Sequence, residues 1–131
     1  LGLSGACFIG PHDQPALATL YNVADVGVFP TKFEAFGLVF IECLACGTPV
    51  IGTAAGGPLD FVDDTVGALV PDAEDDRAFS DALGATITRA LLDDWKSVKR
   101  EACVARASRY TLTAQCEAML AAVDQGMRDT P

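Results

Sequence analysis

Glu34 and Glu42 stand at either end of the apolar run Ala35-Phe36-Gly37-Leu38-Val39-Phe40-Ile41. The run reads as the start of a buried helix opening near Gly37, and such a start has its own chemistry. The first N–H groups of a helix lack internal partners, and the helix dipole places partial positive charge beside them, so this end attracts a phosphate. A carboxylate accepts hydrogen bonds from two hydroxyls at once. With one glutamate in the preceding loop and the other in the second turn, the two lie at most about 12 Å apart along the axis. A diphosphate fits between a ribose diol on one carboxylate and a hexose hydroxyl on the other. Gly37 lets the backbone approach a ligand closely. The pattern predicts a nucleotide-sugar clamp.

Positioning these groups requires a scaffold, and the chain alternates short apolar runs with helical patterns. Ala6-Cys7-Phe8-Ile9, ended by Gly10-Pro11, reads as a first buried strand. A helix from Pro15 follows, its Leu17, Leu20, Tyr21 and Ala24 predicted to pack on a sheet. Val26-Gly27-Val28-Phe29, stopped by Pro30, is a second strand. Pro49-Val50-Ile51-Gly52 is a third, with Pro49 tolerated as its first residue. Ala54-Ala55-Gly56-Gly57-Pro58 then makes a tight turn with exposed amides. Ligands collect beyond the carboxyl ends of parallel strands, so Gly56 and Gly57 join Gly10 and Thr31 as candidate contacts for a base or a loop. Gly67-Ala68-Leu69-Val70, closed by Pro71, is a fourth strand. Three helices follow: one to about Leu92 with an apolar stripe of Phe79, Leu83, Ile87 and Leu91, then about 94–108 and 112–125. Trp95 anchors helix packing. The alternation predicts an α/β fold, a parallel sheet with helices on both faces and a helical tail.

Composition narrows the function. The 131 residues amount to one domain, half of them apolar, with a net charge of −9. Asp60 to Asp94 carries ten acids against Arg77 and Arg89, which disfavours nucleic acid and anionic membranes as partners. No apolar run is long enough to span a bilayer. The chain starts without a methionine or a basic leader, so it is expected to be a piece of a longer protein. Five cysteines without framework spacing suit reduced thiols in a cytoplasmic protein. Cys43-x-x-Cys46 falls within a helix, has no second pair and has only His12 for a histidine, which argues against zinc or redox chemistry. Asp63-Asp64, Asp75-Asp76 and Asp93-Asp94 read as caps and solvated turns. His12 reads as an ordinary loop residue.

Phe29-Pro30-Thr31, Glu34-Ala35-Phe36-Gly37-Leu38, Glu42, Ala45-Cys46-Gly47-Thr48-Pro49-Val50-Ile51 and Gly56-Gly57-Pro58 together resemble the donor-binding half of the retaining GT-B glycosyltransferases, the glycosyltransferase family 4 type. The glutamates have that family's E-x7-E spacing, and the match runs in the family's order along nearly the whole chain. The resemblance implies transfer of a hexose from a nucleoside-diphosphate sugar, such as a UDP- or GDP-hexose, with retention and with neither metal nor cofactor. It assigns Glu42 to the nucleotide ribose, Glu34 to the transferred sugar as the catalytic-site carboxylate, and the amides of Phe36, Gly37 and Leu38 to sugar and phosphates. The usual glutamate after the paired glycines is absent, and Asp60 is the nearest acid.

The resemblance also implies a Rossmann-like sheet ordered 3-2-1-4-5-6, in which the four strands read here are 3, 4, 5 and 6. Strands 1 and 2, a basic Arg/Lys pair for the diphosphate, and the N-terminal acceptor domain with its catalytic histidine lie outside these 131 residues. Lys32 is the only base in the first 76. The fragment is therefore expected to be inactive alone, and either marginally stable or oligomeric through exposed strand edges. Three rivals remain. A non-catalytic nucleotide-binding or subunit-interaction domain would keep the fold without the chemistry. A glycoside hydrolase would need its carboxyls about 5 Å or 6.5–9.5 Å apart. A nicotinamide enzyme would need a G-x-G-x-x-G after a strand, which no strand here has.

Overall fold

A computed structural model describes residues 5–128. Helix α1 (Gln14–Val23) leads to strand β1 (Gly27–Phe29), helix α2 (Leu38–Ala45), strand β2 (Val50–Thr53), a short 3-10 turn (Gly57–Asp60) and strand β3 (Gly67–Val70). Helices α3 (Asp76–Leu92) and α4 (Trp95–Ala107), a second 3-10 turn (Ser108–Tyr110) and helix α5 (Leu112–Arg128) complete the chain. The strands form one parallel sheet in the order β1-β2-β3, with Val28 beside Ile51 and Ile51 beside Ala68. Loops that reach a ligand beyond the carboxyl ends of such a sheet are those after β1 and β2.

Alternation along β2 divides the core between two faces. On one face Val50 packs with Phe40, Cys43 and Leu44 of α2 and with Cys103 and Ala107 of α4. On the other, Ile51 and Val70 meet Ala90 of α3 and Trp95 of α4. The predicted Rossmann-like α/β sheet with helices on both faces is present, and so is the helical tail. Burial pushes the Cys43 thiol up to about 12 and that of Cys103 to about 11, so both are inert packing groups. Arg106 of α4 donates to the Phe61 carbonyl and pairs with Asp63 at 2.7 Å, holding α4 over the turn that follows β2. The Thr65 hydroxyl and Arg106 hold Asp63 down near about 2.

Two expectations fail. Residues 6–9 are not a strand: Phe8 is 94% exposed, and no strand among the described residues runs beside them. A strand exists only through its ladder, and no described strand pairs with this segment. The stripe of α3 ends on buried Ala90 rather than exposed Leu91, because a 3.6-residue period reaches 90 after 79, 83 and 87. Helix α1 fully buries no residue; Tyr21 of its apolar face packs on the Phe29 ring of β1, and Leu17 and Ala18 face α2 across a cavity. The Pro58 stretch also continues the Gly56-Gly57 turn into a 3-10 turn.

Candidate functional site

Helix α2 opens as its residues dictate. Gly37 is the N-cap, at φ 93° and ψ 45°, a left-handed conformation that favours glycine. The Phe40 ring, one turn on, fills the space above Gly52 and locks α2 to the centre of the sheet. Beyond the strand ends the loops after β1 and β2 are joined. The Gly57 N–H donates to the Glu34 carbonyl at 2.8 Å, and the Gly37 N–H donates to a Glu34 carboxylate oxygen at 3.1 Å. A side-chain carbon at Gly56 would lie 2.0 Å from the Glu34 carbonyl oxygen, and one at Gly57 would lie 2.5 Å from that of Phe36. The paired glycines are thus where two backbones touch, and Gly56 adopts φ 65° and ψ −147°, a region reserved for glycine.

This arrangement brings together Glu34, Phe36, Gly37, Gly56 and Gly57. Among the described residues, the N–H groups of Phe36, Leu38 and Val39 have no protein partner, and neither does the second oxygen of Glu34. The N–H of Gly37 differs, since Glu34 itself occupies it. The Phe36 ring lies against Phe61 and Tyr110, so this residue offers a ligand its main chain. Leu38 is exposed at the first helical position. Thr31 is exposed beside β1 and donates its N–H to the Phe29 carbonyl. Gly10 stands in the exposed 5–13 segment with open space around it, and no described contact ties it to the two loops. Lys32 pairs with Asp76 at 3.6 Å on the surface.

Glu42 lies in the second turn of α2, half-buried, with no hydrogen-bond or ion-pair partner among the described residues. It lines a cavity of about 290 Å³ between α1 and α2, with Gln14, Leu17, Ala18, Tyr21, Ala45 and Cys46. Burial and the nearby Glu42 carboxylate raise the Tyr21 phenol above its ordinary value. The sequence reading missed this cavity. Its signal was the helical spacing of Gln14, Leu17, Ala18 and Tyr21 on one side and of Glu42, Ala45 and Cys46 on the other. The described residues contain no group of three metal-ligating side chains, and no helix is long and apolar enough to cross a membrane.

Residues 1–109 match the family model described as "Glycosyl transferases group 1". The chain belongs to this family. Relatives include the D-inositol 3-phosphate glycosyltransferase of Corynebacterium jeikeium, 35% identical over 91% of this chain and 28% of that protein. The protein of the same name from Mycolicibacterium smegmatis is 33% identical over 98% of this chain and 29% of its own length. Among solved structures, the sucrose-phosphate synthase of Thermosynechococcus elongatus superposes with a TM-score of 0.76 at 34% identity, over 95% of this chain and 31% of that one. The chain thus spans less than a third of each of these glycosyltransferase-family proteins, and it shares their GT-B architecture over that part.

Proposed function

We propose that this chain is part of the C-terminal, donor-binding domain of a retaining glycosyltransferase that moves a hexose from a nucleoside-diphosphate sugar to an acceptor. One observation carries the reading: the loops after β1 and β2 meet at Glu34 and Gly57, beside unpaired N–H groups at the start of α2, while Glu42 stands unpaired on the same helix. Glu42 takes the ribose diol. The N–H groups of Phe36 and Leu38 take the phosphates and the sugar, and the helix start stabilises the charge that grows on the leaving diphosphate. The free oxygen of Glu34 accepts a hydroxyl of the transferred sugar, and the Gly37 N–H holds that carboxylate in orientation. In this reading the chain uses no metal, works in the cytoplasm, and depends on residues outside the 131 for the basic pair, the first two strands and the acceptor site. Alone it binds nucleotide without turnover.

Calorimetric titration of UDP, GDP and ADP, beside a Glu42→Ala variant checked for folding by circular dichroism, tests the assignment. One nucleotide is expected to bind, and Glu42→Ala is expected to weaken it by about 10- to 100-fold, the loss of a charged hydrogen-bond acceptor. Equal affinity in the variant sinks the ribose role. A full-length parent that binds a nucleotide-sugar but releases no nucleotide in the presence of acceptors would favour the non-catalytic binding domain.

A further inference from the structure

The loop between β1 and α2 is braced by a ring from the far end of the chain. We propose that Tyr110, in the second 3-10 turn, is a positioning residue for the donor's diphosphate: it holds the Phe36 side chain, and through it the N–H groups at the start of α2, where they meet the phosphates. This rests on the assignment of the phosphates to the N–H groups of Phe36 and Leu38. The residues between β1 and α2 form no regular element, so no ladder of their own fixes Phe36. Its main chain is pressed by Gly57, where an added side-chain carbon would lie 2.6 Å from the Phe36 Cα. Its ring is 45% exposed, and its inner side meets two other rings.

These three rings touch pairwise. Between centroids, Phe36 lies 6.1 Å from Tyr110 and 6.3 Å from Phe61, and Phe61 lies 5.4 Å from Tyr110. Tilted and edge-on pairs of this kind contribute beyond the area they bury. Phe61 is buried against the Phe40 ring, and its tip would lie 3.2 Å from a side-chain carbon at Gly37, so the helix start rests on it. Arg106, one turn before Tyr110, donates to the Phe61 carbonyl, so one segment grips Phe61 twice. The half-buried Tyr110 makes no hydrogen bond through its hydroxyl among the described residues, which leaves the bracing to the ring. Tyr110 does not line the cavity beside Glu42, so its effect is confined to the phosphate end. N–H···O bonds hold within a narrow range of distance. A loop released from one ring must be reordered by the ligand, and that cost is subtracted from phosphate affinity.

Titrations of the whole nitrogen-labelled chain, followed by NMR, test the proposal with UDP, GDP and ADP and their nucleosides. The Phe36 and Leu38 amide signals are expected to move when the preferred nucleoside diphosphate binds. Tyr110→Ala is expected to weaken that diphosphate about fivefold, the loss of two aromatic contacts that order the loop, and to leave the matching nucleoside, held by Glu42, unchanged. Tyr110→Phe, which keeps the ring, is expected to bind as the unaltered chain does. Tyr110→Leu keeps apolar bulk without a ring and is expected to show the same split as Tyr110→Ala, which covers an alanine variant that does not fold. If the folded variants among these two keep full diphosphate affinity, or lose nucleoside and diphosphate in equal measure, while Glu42→Ala loses binding, the positioning role is wrong and the donor assignment stands. A loss in Tyr110→Phe equal to that in Tyr110→Ala overturns the ring as the cause. If diphosphate leaves the Phe36 and Leu38 amides unmoved, or the unaltered chain binds no nucleotide at millimolar concentration, the phosphate assignment and the positioning role fall together.

Discussion

α2 and α1 are the two walls of one cavity, yet α2 buries Phe40, Cys43 and Leu44 in its eight residues while α1, with ten, buries none. The wall that carries Glu42 is part of the core. The other wall is held near its C-terminal end, where the Thr48 hydroxyl donates to the Tyr21 carbonyl at 2.5 Å, Lys96 donates to Thr48, and Tyr21 meets Phe29. Its N-terminal end has a side-chain cap, with the Ala16 N–H donating to Asp13 at 3.0 Å, but no buried packing. Free energies of local opening follow such differences in burial, so α1 is the wall that yields first. The two walls of this cavity thus differ in how firmly the core holds them.

The sharpest way to break this contrast is to empty the fixed wall. Phe40→Ala is expected to cost about 3–5 kcal/mol of stability, against about 1 kcal/mol for Leu20→Ala in α1, read from urea unfolding midpoints. Equal costs would show that α1 is packed as firmly as α2. Next, Gly56→Ala is expected to cost about 1–3 kcal/mol or more, because a methyl group there must displace the Glu34 carbonyl and the conformation itself belongs to glycine. The same variant should weaken nucleotide binding while leaving α1 unaffected, as seen in amide exchange of residues 14–23. A further effect is a pH dependence of the fixed wall, confined to alkaline conditions. The Cys43 thiol ionises near 9 when unfolded and about 12 when folded. The unfolded state therefore loses its proton first, and stability is full below pH 9 and falls as pH rises from 9 toward 12. Cys43→Ala should reduce that alkaline slope in thermal melts, while Cys116→Ala, at an exposed thiol, should leave it unchanged.

Much of this was legible in the chain because local signals agreed with the fold. The strands at 27–29, 50–53 and 67–70 are apolar runs punctuated by glycine or proline, and α2 announces itself by Gly37 and a run of apolar residues. What failed needed non-local information. Ala6-Cys7-Phe8-Ile9 has a strand's composition but no neighbour to pair with, and composition does not reveal a missing neighbour. The glutamates and paired glycines were visible as types. That Glu34 would cap Gly37, and that Gly56 and Gly57 would press on the preceding loop, depends on how two loops meet across a sheet. The cavity between α1 and α2 stayed hidden for the same reason, since a cavity between helices is set by their placement.

The one tryptophan lies on the other face of the sheet. Trp95 is buried at the seam of α3, α4 and the sheet, near Gly67 at the amino end of β3, with Arg89 and Lys99 over its ring at 5.3 and 4.7 Å. Indole emission is sensitive to nearby cations and to water, so its intensity and wavelength follow the integrity of that seam. The cavity between α1 and α2 lies on the opposite side of the sheet, beside the other core cluster. Intrinsic fluorescence of this chain is therefore an optical gauge of that seam, and it separates a variant that has lost its ligand from one that has lost its structure.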